Sequence, residues 1–490
     1  MEEKLTERKT SVSVNAMLNV LKQCCNIVFP LITYPYVAQT LGATNLGKYS
    51  FAESVIQYFL LLSALGIPSY AIREGSRIRN DKKKISQFAS ELFSINFLAM
   101  LLSYLILFLL ICFVPQLNEA KVLLLILSVN VFTQTIGRDW INSVYEDYKY
   151  ISLRYICFQI LALILTFIFV KDRDDYIVYT LIMLLANAGG NVLNFIHTQR
   201  YVSVRLTVHP NIKSHLKPIL FLFCTAVAVS IYVKSDIIMI GFLLTEEDVG
   251  IYTLSSKIYT IIKALIIAII TVTIPRLSAA LGNRKNDVYD RLLNKLRKIL
   301  CITAFPCATG LFFLSEQVML LLGGTPYQSG TASLAILCFA LAISVFACFY
   351  AQGVLVATRK EKYYFVGTII SAIVNIGGNF ILIPWLGING AAITTVLSEA
   401  IVLTVCGDYA HKNITLKDDG NIKSVMIGCI GIACCCILTK KILHSTIAII
   451  LISIASAVPV YAIVMLLFKN KIAIDFVHSV TKRFRKTKGD

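Results

Sequence analysis

The sequence predicts an all-α integral membrane protein of about 14 spanning helices, built as two six-helix bundles related by a pseudo-two-fold along the membrane normal plus two C-terminal helices. Three observations predict it: apolar blocks of roughly 18 to 28 residues follow one another along the chain, basic residues gather on one side of alternate blocks, and a set of motifs recurs about 200 residues downstream.

Of 490 residues, 57% are hydrophobic and 15% charged, whereas a soluble chain carries about a quarter charged residues. The apolar blocks place helices over 14–40, 46–68, 87–114, 120–142, 151–170, 176–198, 216–243, 249–274, 297–322, 330–356, 362–384, 389–409, 422–442 and 445–468. A hydrocarbon core about 30 Å thick takes about 20 helical residues to cross. No gap between blocks exceeds roughly 25 residues, which leaves no room for a globular catalytic domain.

The net charge of +18 raises nucleic acid as a partner, and its distribution excludes it. With the N-terminus inside, 35 of the 46 basic residues fall on the inner side, the pattern of short cytoplasmic loops. Only Lys48, Lys121, Lys171, Arg173, Lys440 and Lys441 fall in outer loops, and one outer loop, Thr245-Glu246-Glu247-Asp248, is purely acidic. Both termini are thus expected on the cytoplasmic side. The fourteen cysteines sit almost entirely in apolar blocks, with no CxxC pair and no histidine at metal-ligand spacing, so they read as small hydrophobes between helices. Met1–Ser13 is charged and the first apolar block is long, unlike a cleavable signal peptide.

Leu46-Gly47-Lys48-Tyr49-Ser50-Phe51 opens the second helix, and Val249-Gly250-Ile251-Tyr252-Thr253-Leu254 opens the eighth. Ile67-Pro68 and Ile274-Pro275 close the same two helices, each leading into a basic stretch. The offsets are about 203 and 207 residues. A duplicated unit with an even number of helices keeps both copies in one orientation, so the repeat is parallel, and such repeats place substrate between the halves. The expected organisation is an N-terminal bundle over 1–210, a C-terminal bundle over 211–411, and the last two helices with a basic tail over 412–490.

Charges inside spans are expensive and face a partner or a wet cavity. The first helix carries Asn15, Asn19, Lys22 and Asn26 at i, i+4, i+7 and i+11, one helical face. The sixth repeats the pattern with Asn187, Asn191 and Asn194, and the eleventh carries Thr368, Ser371, Asn375 and Asn379. Isolated amides and hydroxyls mostly join helices through hydrogen bonds; stripes on several helices together point to a polar cavity. Its expected cations are Lys22, Arg138, Lys257 and Lys263, and its expected amides are Asn15, Asn19, Asn26, Asn187, Asn191 and Asn375. Lys22, Lys257 and Lys263 have no carboxylate within four residues, which suits an anionic substrate such as a phosphate. Glu53, Asp139, Asp236 and Glu399 are the candidates to carry a coupling proton or Na⁺. No metal site and no cofactor is expected. Substituting Lys263 with alanine is expected to lower transport without lowering abundance.

Three motif look-alikes fail on context. Gly42-Ala43-Thr44-Asn45-Leu46-Gly47-Lys48-Tyr49 resembles a P-loop, but Tyr49 stands where magnesium needs a hydroxyl from Ser or Thr. Asp172-Arg173-Asp174 sits in a five-residue outer turn, and Asn413-Ile414-Thr415 lies on the inner side. Without an ATP site, an ion gradient or substrate supply remains as the energy source.

Several stretches resemble the Wzx-type oligosaccharide-lipid flippases, of the polysaccharide export branch of the multidrug/oligosaccharidyl-lipid/polysaccharide (MOP) superfamily. They are Tyr36-Val37-Ala38 with Leu41-Gly42 and Gly47-Lys48-Tyr49, then Gly66-Ile67-Pro68 with Arg73-Glu74. Asp139-Trp140 with Tyr145-Glu146-Asp147-Tyr148-Lys149-Tyr150-Ile151 and Arg154 follows, then Ser235-Asp236-Ile237-Ile238-Met239-Ile240-Gly241. Last come Asn375, Ile383-Pro384 and Leu386-Gly387-Ile388-Asn389-Gly390-Ala391-Ala392. The resemblance covers roughly residues 12–470 and implies a MATE/MOP-like fold with a cationic cavity. It implies a non-enzymatic flippase that moves undecaprenyl-diphosphate-linked oligosaccharide repeat units across the bacterial cytoplasmic membrane by alternating access, for O-antigen, capsule or exopolysaccharide synthesis. Its implied partners are that lipid-linked glycan, membrane lipid, and polymerase and glycosyltransferase machinery. The alternatives are an ion-coupled MATE-type exporter of small molecules and, behind it, a lipid II flippase. The chain lacks the N-terminal Ser-Arg and Arg-Asp pattern of lipid II flippases, and drug exporters usually have 12 helices.

Overall fold

In a bilayer each backbone N–H and C=O must find its partner within the protein, so long apolar segments fold as helices. The computed structural model of the chain describes residues 12–207, 212–282, 286–413 and 421–474, and among them every regular element is a helix. The chain divides into two compact units, Met1–Ser230 and Ile231–Asp490.

In the first unit, α1 (Val12–Ala64) is two helices joined without a loop at Gly42, whose φ of 72° favours glycine. The Asn45 side chain donates to the Arg173 carbonyl at 2.7 Å and the Tyr36 hydroxyl to the Val170 carbonyl at 2.6 Å, tying the 170–175 turn over this break. Left-handed Leu65 and Gly66 end α1 and start α2 (Ile67–Ile78). A Cβ on Gly66 would stand 2.8 Å from the Phe223 backbone nitrogen, so only glycine lets the two backbones approach. The short α2 buries Ile67, Tyr70, Ala71 and Gly75 and leaves Arg73 and Arg77 outside, an amphipathic helix. Asp81 caps α3 (Lys82–Phe113) by accepting from the Lys83 and Lys84 amides at 3.1 Å, and these bonds hold its carboxyl below the ordinary value.

The turn α4 (Pro115–Glu119) leads into α5 (Lys121–Gly137). The sequence predicts one helix over 120–142; the structure breaks it at Arg138, φ 53°, and resumes as α6 (Trp140–Val144). After α7 (Tyr148–Phe169), α8 (Tyr176–Leu184) passes through a π-helical turn at Leu185–Gly189 into α9 (Gly190–Thr198). Such π turns often mark functional sites in helices. A Cβ on Gly189 would come within 2.3 Å of the Phe158 ring, so this turn lies hard against α7. The segment after α9 then runs along α3, its Arg205 and Thr207 amides donating to the Ser90 and Ser94 hydroxyls at 3.1 and 2.8 Å.

Helix α10 (Ile212–Leu243) leads into the second unit, followed by α11 (Glu246–Gly282), α12 (Asn286–Gly323), α13 (Thr331–Cys348), a π-helical stretch (Phe349–Val356), α14 (Glu361–Leu386) and α15 (Ile388–Asn413). Left-handed Gly387 turns α14 into α15, and Gly390 packs so closely on the Leu382 carbonyl that a Cβ there would lie 2.3 Å from its oxygen. The last pair, α16 (Asn421–Ile442) and α17 (Thr446–Leu467), packs on α12 through Leu314, Ile432, Cys436, Ile449 and Ala457. The Thr439 and Ser453 hydroxyls meet at 2.5 Å between α16 and α17, interhelical polar glue in an apolar contact.

Twelve helices among the described residues are long and apolar enough to cross a membrane, against the predicted count of about 14. One of the twelve, Leu21–Ile78, contains the Gly42 break, and α10 contributes only the shorter apolar stretch Ser214–Ala228. The fourteen cysteines are free thiols.

Candidate functional site

The first unit encloses a cavity of about 420 Å³. Of the predicted residues, Lys22, Glu53, Arg138, Asp139, Asn187 and Asn191 line it. They come from α1, the α5–α6 break, the π turn and α9. Asn26 is exposed, and the side chains of Asn15 and Asn19 lie outside the described residues. Sequence reasoning missed Arg154 as a site residue, although it belongs to the segment that carries the resemblance. Its one visible signal is its place nearly two turns into α7, 15 residues after Asp139.

Arg138 is 5% exposed and forms no ion pair among the described residues. Three contacts aim its guanidinium. Its Nε donates to the Ile136 carbonyl at 3.0 Å, capping the end of its own helix. The rings of Phe93 and Phe195 lie 5.1 and 5.0 Å from it. Each such cation–π contact contributes about 0.5–2 kcal/mol, whereas withdrawing a cation from water costs several kcal/mol. The aromatic faces therefore leave a deficit that an anion would close. Arg154, 8% exposed, donates from Nη2 to Asp139 Oδ1 at 2.7 Å and lies over the Tyr150 ring at 5.5 Å, while its Nη1 is buried without a partner. The Lys22 ammonium stands 5.5 Å from the Tyr155 ring centre. Three cations and two carboxylates thus line one cavity, with Asp139 tied to Arg154.

The second unit holds Lys257, Lys263, Asp236, Glu399 and Asn375. Lys257 is half-buried on α11. Lys263 has no carboxylate nearby in sequence, yet its Nζ lies 2.5 Å from Glu399 Oε1 and donates to the Tyr259 hydroxyl at 3.1 Å. Tyr259 donates to the same carboxylate at 3.0 Å. Two residues read separately, as a substrate cation and a coupling carboxylate, are therefore one ion pair, because packing brings α15 to α11 across 136 residues of chain.

Asp236 is 7% exposed and meets only neutral donors among the described residues. Tyr252 Oη and Thr395 Oγ1 donate to its Oδ2 at 2.8 and 2.6 Å, and the amides of Asn375 and Asn379 donate to its Oδ1 at 3.0 and 2.7 Å. Ser235 and Thr394 hydroxyls bond the two amide oxygens in turn, so the shell is oriented throughout. Tyr252 belongs to the repeated Gly-x-Tyr motif. Its counterpart Tyr49 packs on the Tyr179 ring at 4.8 Å instead, so the shared sequence serves different chemistry in the two units.

Apolar helices long enough to span and a charged cavity make this a multi-pass membrane protein, and the family models and relatives it matches place it among transporters rather than enzymes. The chain belongs to the polysaccharide biosynthesis protein family, whose model matches residues 12–281. A second model, that of the lipid II flippase MurJ, matches residues 158–470. A putative O-antigen transporter of Escherichia coli K12 is 22% identical over 84% of this chain and 99% of its own length. The capsular polysaccharide biosynthesis protein CapF of Staphylococcus aureus is 22% identical over 81% of this chain and 97% of its own. Among solved structures, a lipid II flippase MurJ in an inward closed conformation superposes with a TM-score of 0.73 at 18% identity, covering 94% of this chain and 99% of that one. An inward-facing MATE-family multidrug transporter of the MOP superfamily gives 0.61 at 15% identity, covering 80% and 94%. At these identities the two structures establish the shared fold.

Proposed function

We propose that this protein flips a polyprenyl-diphosphate-linked oligosaccharide repeat unit, with undecaprenyl the expected carrier, from the cytoplasmic to the outer leaflet of a bacterial cytoplasmic membrane. It works by alternating access, with both termini on the cytoplasmic side, and serves surface polysaccharide synthesis. The observation that carries the proposal is Arg138: a buried guanidinium, aimed by two aromatic rings and a carbonyl, without an ion-pair partner among the described residues, in a cavity where Lys22, Arg138 and Arg154 outnumber Glu53 and Asp139. A planar guanidinium edge matches a phosphate or carboxylate with paired hydrogen bonds. The amides of Asn187 and Asn191 around it suit sugar hydroxyls. The names of the relatives, an O-antigen transporter and a capsule biosynthesis protein, agree with a glycan cargo. An exporter of small cations would need the opposite charge balance in this cavity.

Coupling to a H⁺ or Na⁺ gradient falls to Asp236 in this proposal. Glu399 is occupied by Lys263 and Asp139 by Arg154, whereas Asp236 has only neutral donors among the described residues, which a bound proton or small cation would rearrange without breaking an ion pair. The test is reconstitution. A fluorophore-labelled polyprenyl-diphosphate trisaccharide in proteoliposomes, quenched from outside by an impermeant reductant, reports leaflet exchange. Wild-type protein should accelerate exchange over empty liposomes, and Arg138→Ala should slow it roughly 10- to 100-fold, the range of one or two lost charge-assisted hydrogen bonds. No acceleration by the wild type overturns the flippase reading; an unchanged Arg138→Ala removes Arg138 from the site.

A further inference from the structure

Because the peptide after Gly137 is left-handed, α5 ends inside the protein with carbonyls that have no helical partner. In a lipid-embedded chain such carbonyls require a donor from the protein itself. Asn194 Nδ2 supplies one to the Gly137 carbonyl at 2.5 Å, and Asn142 Nδ2 donates to Asn194 Oδ1 at 2.5 Å. Both asparagines are 0% exposed. The orientation is unambiguous: a carbonyl only accepts, so Asn194 must present its nitrogen to Gly137, and Asn142 must then present nitrogen to Asn194. Asn142 Oδ1 is left buried without a partner, a sacrifice that keeps the chain of donors pointing one way.

Helix α9 approaches so closely here that a Cβ on Gly137 would stand 3.0 Å from Asn191 Cβ. The residue after Asn194 is Phe195, one of the two rings that hold the Arg138 guanidinium. One turn of α9 therefore grips the backbone before Arg138 and the side chain of Arg138 together. A left-handed non-glycine residue costs of order 1–3 kcal/mol and persists only where its surroundings impose it.

We infer that Asn194, steered by Asn142, is a positioning residue: a buried amide clasp on Gly137 that holds Arg138 left-handed and aims its guanidinium into the cavity. The inference rests on the proposed anion-binding role of Arg138. Neither asparagine touches the substrate. Losing the clasp frees the α5–α6 break to relax, and the guanidinium loses its fixed direction.

The experiment is a double-mutant cycle with the labelled polyprenyl-diphosphate trisaccharide in proteoliposomes. Exchange rate, half-saturating lipid concentration and melting temperature are measured for Arg138→Ala, Asn194→Ala and both together. Asn194→Ala should slow exchange about tenfold and raise the half-saturating concentration, and adding it to Arg138→Ala should slow exchange no further. Asn142→Ala, which removes the donor that steers Asn194 and lines no part of the cavity, should slow exchange about threefold and be equally silent beside Arg138→Ala; it serves as the second variant where Asn194→Ala fails to accumulate. Multiplicative losses in the double variants, or a fall in melting temperature with unchanged half-saturation, would show a merely structural clasp and overturn the inference. An unchanged Arg138→Ala defeats the underlying site reading instead, so the two failures are distinguishable.

Discussion

The Lys263–Glu399 pair allows the most quantitative test of how the second unit is held together. The Glu399 side chain is 5% exposed and that of Lys263 23%, with 2.5 Å between Nζ and Oε1. Breaking a buried pair by removing one partner destabilises by about 3–5 kcal/mol, since the survivor keeps its desolvation penalty. Replacing both by apolar residues is close to neutral. The two single losses should differ. Without Lys263, the carboxylate retains only the Tyr259 hydroxyl at 3.0 Å and sits near the upper end of that range. Without the carboxylate, Lys263 keeps Tyr259 at 3.1 Å and can move its ammonium along its flexible stem towards water, so its loss sits near the lower end. At roughly 2–4 °C per kcal/mol for a unit of this size, Lys263→Met should lower the apparent melting temperature in detergent by about 10 °C. Glu399→Leu should lower it by about half as much, and the double variant, apolar at both positions, should recover most of the loss. The assay is fluorescence-detected size exclusion after heating, with membrane abundance measured alongside. This replaces the sequence-based expectation that alanine at Lys263 spares abundance, which assumed a cation without a carboxylate partner. Additive losses in the double variant, or a Lys263→Met protein as stable as wild type, would refute the reasoning.

Two further outcomes follow from the same structure. Asp236→Asn keeps the size of the side chain and the bond from Tyr252 Oη (2.8 Å) but removes the charge and turns an NH2 towards the Asn375 and Asn379 amide donors; the protein should lose some stability and transport its acceleration by an imposed pH or Na⁺ gradient, and a gradient response equal to wild type would exclude Asp236 as the coupling group. Gly66→Ala combines a left-handed φ of 72° with a Cβ 2.8 Å from the Phe223 nitrogen. It should destabilise by about 2–4 kcal/mol from strain and displaced backbone, read as lower abundance and melting temperature, and a neutral outcome would mean that α10 does not press on this turn.

The residues predicted for the cavity show where sequence reasoning reaches. Lys22, Asn187, Asn191 and Arg138 stand out in the sequence because charged and amide side chains are rare at bilayer depth, and helical spacing groups the first three on shared faces. The Asp236 shell was half-visible: Asn375 and Asn379 share a face at i, i+4, and Tyr252 stood in the repeat, yet nothing in the sequence aligned them with Asp236. Lys263 and Glu399 read from the sequence as residues of separate roles, because a partner 136 residues away leaves no local trace. Arg154 escapes such a reading because one arginine near the start of a helix is ordinary in a basic stretch of sequence.

Hydrophobic length and the lopsided placement of lysine and arginine are sufficient by themselves for a helical membrane protein, since the bilayer acts on each segment separately, while the recurring Gly-x-Tyr and Ile-Pro elements add the expectation of a duplicated plan. The tertiary structure decided which charges are paired and which stand alone. It also decided where helices break, at Gly42 and Arg138, and which amides close those breaks. Pairing depends on a few ångströms between residues from distant parts of the chain, a distance that composition and periodicity do not encode.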